Sequence, residues 1–412
     1  MAQLRQETEP GEAGLDPGVL SRLDEHLTRL VDTGRLPGYL VSVARHGRVA
    51  HLTTYGFRDR EARLPVETDT VWRIHSMTKP VVSVAALMLW EEGRLRLTDP
   101  LSRHLPAFAA PRVFVSGSGE EMVTRPAAGP LLVRHLLTHT AGLTYGFYES
   151  HPVDALYRAA GVESAGPPGA DLAESCDVYA RLPLQFDPGT QWNYSVATNV
   201  LGRLVEVVSG RSLDVFLAER ILGPLGMEDT GFQVTAGQAG RLATMYADDG
   251  RGGIRPVAGL PVHERPRFLS GGGGLVATAH DYHRFMELLR GRGELDGVRL
   301  LRPETVDTMT SNHLPGGTDL YTFGSPVHRL PDNTGVGFGL GVSVVTDPGI
   351  TRSPTVRGSY GWSGAGSTTF WITPRQDLTV QFLTQLRPNP ATSVIEDVRR
   401  LAHGAVAADR PH

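Results

Sequence analysis

The chain has 412 residues, 20% of them charged and 40% hydrophobic, with 40 basic and 44 acidic side chains and a formal net charge of −4. That is the composition of a globular protein of one large or two ordinary domains, with charges too evenly mixed for a nucleic-acid footprint. The first ten residues are polar and acidic, the most apolar run (Pro80 to Trp90) is too short to cross a bilayer, and the single Cys176 allows no internal disulfide; a cytoplasmic protein without membrane or nucleic-acid partners is expected.

Residues 16–34 carry leucines at positions 20, 23, 27 and 30, the spacing of an amphipathic helix. Two apolar runs, 38–44 and 49–55, flank Arg45-His46-Gly47-Arg48 and predict a hairpin. Val71 to Ile74 leads into Ser76, and a helix is expected from Met77 to Glu92, stopped by Gly93. The middle of the chain, about 130–290, is mainly helical in pattern, with helices over 131–139, 172–182, 196–208, 213–222 and 280–290. The stretches 105–130 and 148–170, rich in Pro and Gly, read as irregular surface. Strands return at 338–346, 355–361, 367–373 and 378–384, and a last helix is expected near 391–406. Strands at both ends with helices between predict an α+β fold, in which both ends share one antiparallel sheet flanked by helices. The expected division is an α/β part over 1–105 and 265–412, with an inserted helical domain over 106–264.

Three segments carry candidate chemistry. In Ser76-Met77-Thr78-Lys79-Pro80, positions i and i+3 of a starting helix share a face, so hydroxyl and amine can meet. A serine needs a base to become a nucleophile, and a lysine with a lowered pKa can be that base. Lys79 is also the only lysine of the chain. Arginine replaces lysine on a solvated surface but not where a proton must leave, so the survivor stands out. The competing reading is a helix-capping serine with an incidental lysine. The second segment, Asp187 to Ser195, delivers Tyr194 through a Pro-Gly turn to the start of a helix striped by Val200, Leu201, Leu204, Val205 and Val208. Its phenol is suited to proton relay, or simply to packing. The third, Gly358 to Gly366, is placed between two strands, and its glycines would let backbone N–H groups approach a reacting oxygen. Gly361-Trp362-Ser363-Gly364-Ala365 misses the G-x-S-x-G elbow by its last residue, and a strand rather than a helix follows. His135 and His139 have helical ligand spacing but lack the glutamate of H-E-x-x-H, so hydrogen-bonded structural roles are expected and no metal.

Taken in this order, the three segments resemble the serine β-lactamase and penicillin-recognising family, especially class C β-lactamases and family VIII carboxylesterases. Leu136 to Leu143, Pro224 to Thr230 and Ser270 to Leu275 look like the same family, and the resemblance covers roughly residues 15 to 390. It implies Ser76 as nucleophile, Lys79 as its base and Tyr194 as the tyrosine of the second motif. It also implies an oxyanion hole from the amides of Ser76 and Ala365, with Trp362, Ser363, Gly364 and Tyr145 binding substrate, and no metal or organic cofactor. Two departures bear on substrate. Trp362 stands where β-lactamases have the lysine that pairs with a carboxylate, and Val196 stands where they have an amide-donating asparagine. Both favour an uncharged small-molecule ester over a β-lactam. An acyltransferase of the same fold, a weak β-lactamase, an inert binding protein and a histidine-ligated metal hydrolase are the rival readings.

Overall fold

Asp16 opens the first helix, α1 (Pro17–Asp32), by accepting hydrogen bonds from the amides of Gly18 and Val19 at 2.8 and 3.2 Å. The computed structural model describes residues 3–352, 354–387 and 392–406. After α1 the chain forms the expected hairpin, β1 (Gly38–Arg45) and β2 (Arg48–Asp59), closed by His46 and Gly47, both at positive φ. Two left-handed residues give a turn whose twist matches the strands. A short β3 (Leu64–Pro65) follows, then β4 (Val71–Arg73), a 3-10 turn (His75–Met77) and α2 (Thr78–Glu91). The α-helix thus starts one residue later than expected, and Gly93 at φ 71° ends it.

The helical middle contains α3 (Val133–Leu137), α4 (Leu172–Arg181) and α5 (Ala197–Ser209), while 213–222 is an α-turn running into a π-turn. The two stretches expected to be irregular are partly regular. Arg112–Ser116 and Val123–Pro126 pair as a hairpin, with Gly117 and Gly119 between the strands and Pro126 at the end of the second, and Pro152–Ala159 is a helix with Pro152 at its first position. Then come β5 (Val276–Thr278) and α6 (Ala279–Arg290). The single strand expected at 338–346 is two, β6 (Val336–Phe338) and β7 (Ser343–Val345), because the apolar run is broken by a turn at Gly339 to Val342. The next strand, β8, is Tyr360–Gly364 rather than 355–361, so the third motif lies largely on a strand and not between two. β9 (Thr368–Thr373), β10 (Leu378–Leu383) and α7 (Thr392–Gly404) complete the chain; residue 391, where the last helix was expected to begin, lies outside the described residues.

The main sheet is antiparallel, in the order β6-β7-β8-β9-β10-β1-β2-β3. Its central seam pairs the two ends of the chain, with Leu40 opposite Leu383 and Val43 opposite Val380. Side chains alternate across it, as a two-sided sheet requires. Tyr39, Val41, Val43, Val380 and Phe382 pack with α1 and α7, whereas Leu40, Phe370 and Ile372 share a core with α2, α5 and α6. α2 is buried on nearly every side; of the expected stripe of α5, Val200, Leu201, Leu204 and Val205 are buried in the same core and Val208 is partly buried against it. Among the described residues no helix is long and apolar enough to cross a membrane.

Candidate active site

The site begins with β4. Its antiparallel pairing to β5, Arg73 opposite Val276, brings the segment before Ser76 beside the glycine run 271–274. Met77 N donates to Ile74 O at 3.0 Å, Tyr282 Oη donates to Met77 O at 2.9 Å, and Leu275 N donates to Thr78 Oγ1 at 3.1 Å. The turn that carries Ser76 is therefore fixed by one bond of its own and by two from other parts of the chain, Tyr282 of α6 and Leu275 before β5. His75, at φ 45°, adopts the left-handed backbone that turns the chain into it.

Lys79 follows one turn later and is 2% exposed. Its Nζ lies 3.2 Å from Ser76 Oγ and donates to Gly272 O at 2.6 Å. Gly272 is held in turn by Asn199 of α5, whose Oδ1 accepts from Gly272 N at 2.7 Å and from Ser270 Oγ at 3.1 Å. A Cβ on Gly272 would stand 2.9 Å from Asn199 Oδ1, so only glycine permits this approach. Among the described residues no carboxylate pairs with Lys79, and burial alone lowers its pKa to about 7. Arg73, three residues before Ser76, does not act on it; its guanidinium donates to Leu260 O and Ala243 O.

Tyr194 closes the other side. Its ring centroid is 4.4 Å from Lys79 Nζ, and Trp362 Nε1 donates to its hydroxyl at 3.3 Å. Burial raises the phenol to about 12, with the neighbouring Ser76 and Trp362 opposing the shift. At neutral pH the tyrosine keeps its proton, and the lysine is the group poised to accept one. Two imidazoles hold the tyrosine's backbone: His328 Nε2 accepts from Tyr194 N at 3.3 Å, and His139 Nδ1 accepts from Ser195 N at 3.2 Å. Burial lowers His328 to about 4 and places His139 well below the ordinary value, so both are neutral acceptors. His135 is elsewhere, its Nδ1 accepting from Leu132 N at the start of α3.

The third motif reaches Ser76 along β8. Gly364 packs against the residue two before Ser76, and a Cβ there would lie 2.4 Å from Ile74 O. Ser76, Tyr194, Trp362, Ser363 and Ala365 line one cavity of ≈ 350 Å³. Tyr145, expected to bind substrate, is not among its lining residues. It is buried behind Tyr194, with ring centroids 5.6 Å apart. Val196 is fully buried in the core. The sequence reading missed Asn199, Gly272 and His328 as individual residues. Asn199 had a usable signal, an amide set in the otherwise apolar stripe of α5.

The family model described as Beta-lactamase matches residues 23–405. Esterase EstB of Burkholderia gladioli is 32% identical over 399 residues, covering 90% of this chain and 94% of that protein. Lovastatin esterase of Penicillium rubens is 31% identical over 379 residues, with 86% and 90% covered. The solved structure of EstCE1, a hydrolase with promiscuous acyltransferase activity, superposes with a TM-score of 0.79 at 28% identity, covering 95% of this chain and 99% of that one.

Proposed function

The chain belongs to the beta-lactamase family, and on that premise we propose that it hydrolyses carboxylic esters through an acyl-enzyme on Ser76. The observation that carries the reading is Lys79: a buried amine, with no carboxylate partner among the described residues, 3.2 Å from the serine oxygen. Neutral Lys79 takes the Ser76 proton as Oγ attacks the ester carbonyl. The amides of Ser76 and Ala365 stabilise the oxyanion. On collapse the C–O bond to the alcohol breaks, and the proton held by Lys79 passes to the leaving oxygen, directly or through the Tyr194 hydroxyl. Water then repeats the sequence on the acyl-enzyme, releasing acid and restoring Ser76. Trp362, in the place of a carboxylate-binding lysine, supports an ester rather than a β-lactam at this end of the cleft.

Transfer of the acyl group to an alcohol is the second reading, favoured by the likeness to EstCE1. The two differ only in which nucleophile reaches the acyl-enzyme. The deciding experiment is intact-mass detection of the acyl-enzyme with 4-nitrophenyl esters, with product partition followed as an alcohol is added. Stoichiometric labelling of Ser76 by a phosphonate ester and loss of turnover in Ser76→Ala are expected. Labelling elsewhere, or near-normal turnover in that variant, rejects the assignment.

A further inference from the structure

The cavity that opens at Ser76 does not end there. Gly361 and Ser363, two apart on β8, point to one face of the sheet, and cross-strand pairing places Ser343 and Trp371 on either side of Gly361. This face floors the cavity, and its lining includes Arg399 of α7. The hydroxyls along it are already paired. Ser363 Oγ bonds Thr369 Oγ1 at 2.8 Å, Ser343 Oγ donates to Gly361 O at 3.0 Å, and Ser359 Oγ bonds Thr373 Oγ1 at 3.0 Å.

Arg399 is different. Its guanidinium lies 5.3 Å from the Trp371 ring centroid, and among the described residues it makes no hydrogen bond or ion pair. The acid that acts on it electrostatically is Glu396, one turn back on the same helix. Burial lowers its pKa, yet a guanidinium stays charged at working pH. A charged fork of donors in the wall of a reaction cavity, with no acceptor among the described residues, matches a carboxylate.

We propose that Arg399 binds a carboxylate carried by the substrate at a point remote from the scissile ester, so that the preferred substrates are anionic esters. This rests on the ester-hydrolase reading. The expectation of an uncharged substrate then applies to the group beside Trp362 and not to the whole molecule. The carboxylate belongs either to the acyl part, as in a half-ester of a dicarboxylic acid, or to the alcohol part, as in an ester of a hydroxy acid.

The test compares kcat/KM for two matched pairs. One pair is the 4-nitrophenyl half-esters of C4 to C8 dicarboxylic acids against neutral acyl chains of equal length. The other is acetylated hydroxybenzoates against their methyl esters. In one pair the anionic member should be favoured by about tenfold or more, as expected for a charged hydrogen bond. Arg399→Gln should collapse that ratio toward one, and Arg399→Lys should restore part of it. Because each ratio is taken within one enzyme, general damage to the fold cancels. A ratio near one in both pairs, or a ratio unchanged in Arg399→Gln, overturns the proposal while leaving ester hydrolysis standing. Absence of any turnover and of any acyl-enzyme on Ser76 overturns both.

Discussion

Lys79 is held more closely by the backbone carbonyl of Gly272, at 2.6 Å, than by the Ser76 hydroxyl, at 3.2 Å. A neutral amine that donates to a carbonyl has its lone pair left for the serine proton. The carbonyl thereby aims the base, and Asn199 aims the carbonyl.

Asn199→Ala should consequently slow catalysis without touching substrate. Loss of the bond to Gly272 N leaves a buried donor unpaired, at a cost of about 1–3 kcal/mol in stability. A fall in kcat of roughly tenfold with little change in KM is expected, since orientation of the base matters in the transition state. A melt and a kcat/KM split check it; an unchanged kcat in a folded variant rejects the positioning role.

The rate should rise with pH through a midpoint near 7. Only the neutral amine accepts a proton, and the folded Lys79 loses its charge at about 7. Tyr194, at about 12, adds no limb in the working range. Because Lys79 is the only lysine, isotope labelling of lysine gives one side-chain NMR signal whose titration can be set beside the rate profile. Lys79→Arg, which keeps the charge but cannot release it, should be inactive. An active arginine variant would remove Lys79 from the mechanism.

The same burial predicts a stability gain when the base is removed. Between pH 7 and 10.5 the unfolded chain binds a proton at this site that the folded chain does not, so stability rises with pH across that window. The full penalty is present below 7. Lys79→Met should therefore melt higher than the parent at pH 6, by a margin that shrinks toward pH 10, while hydrolysing nothing. A margin independent of pH would show that the lysine is not buried as a neutral amine.

Esters should be turned over far better than penicillins. At the third motif Trp362 offers an indole N–H already committed to Tyr194, where a cation would bind the penicillin carboxylate. Losing a charged hydrogen bond of about 1.5–3 kcal/mol lowers turnover roughly tenfold or more. Comparable kcat/KM values for benzylpenicillin and 4-nitrophenyl acetate would contradict this account of Trp362.

The pair proposed to carry the chemistry was conspicuous in the sequence: one lysine in an arginine-rich chain, three residues after a serine at a helix start. The hairpin 38–55, α1 and the stripe of α5 followed from periodicity alone. Strand limits between 336 and 364 did not, since an apolar run interrupted by glycine reads the same as one strand or as two. The hairpin at 112–126 was hidden by the glycines of its turn and by Pro111 and Pro126 at its ends. Arg399 was invisible for the reason that Lys79 was not, because an arginine among so many carries no signal until its surroundings are seen. Gly272 acts through its carbonyl, which every residue possesses, and only geometry singles it out.

The seam at the middle of the sheet also sets when this protein can begin to exist. Thr384 Oγ1 donates to Gly38 O at 2.7 Å across 346 residues of chain. At a synthesis rate of about 5–20 residues per second, β1 waits roughly 17 to 70 seconds for β10 to be made. During that interval β1 offers an open edge beside β2, with Tyr39, Val41 and Val43 uncovered by the last helix. A nascent chain in this state is a natural client for a ribosome-bound chaperone. A messenger truncated before β10 would yield a product with its most adhesive strand permanently unpaired, rather than an enzyme merely lacking its tail.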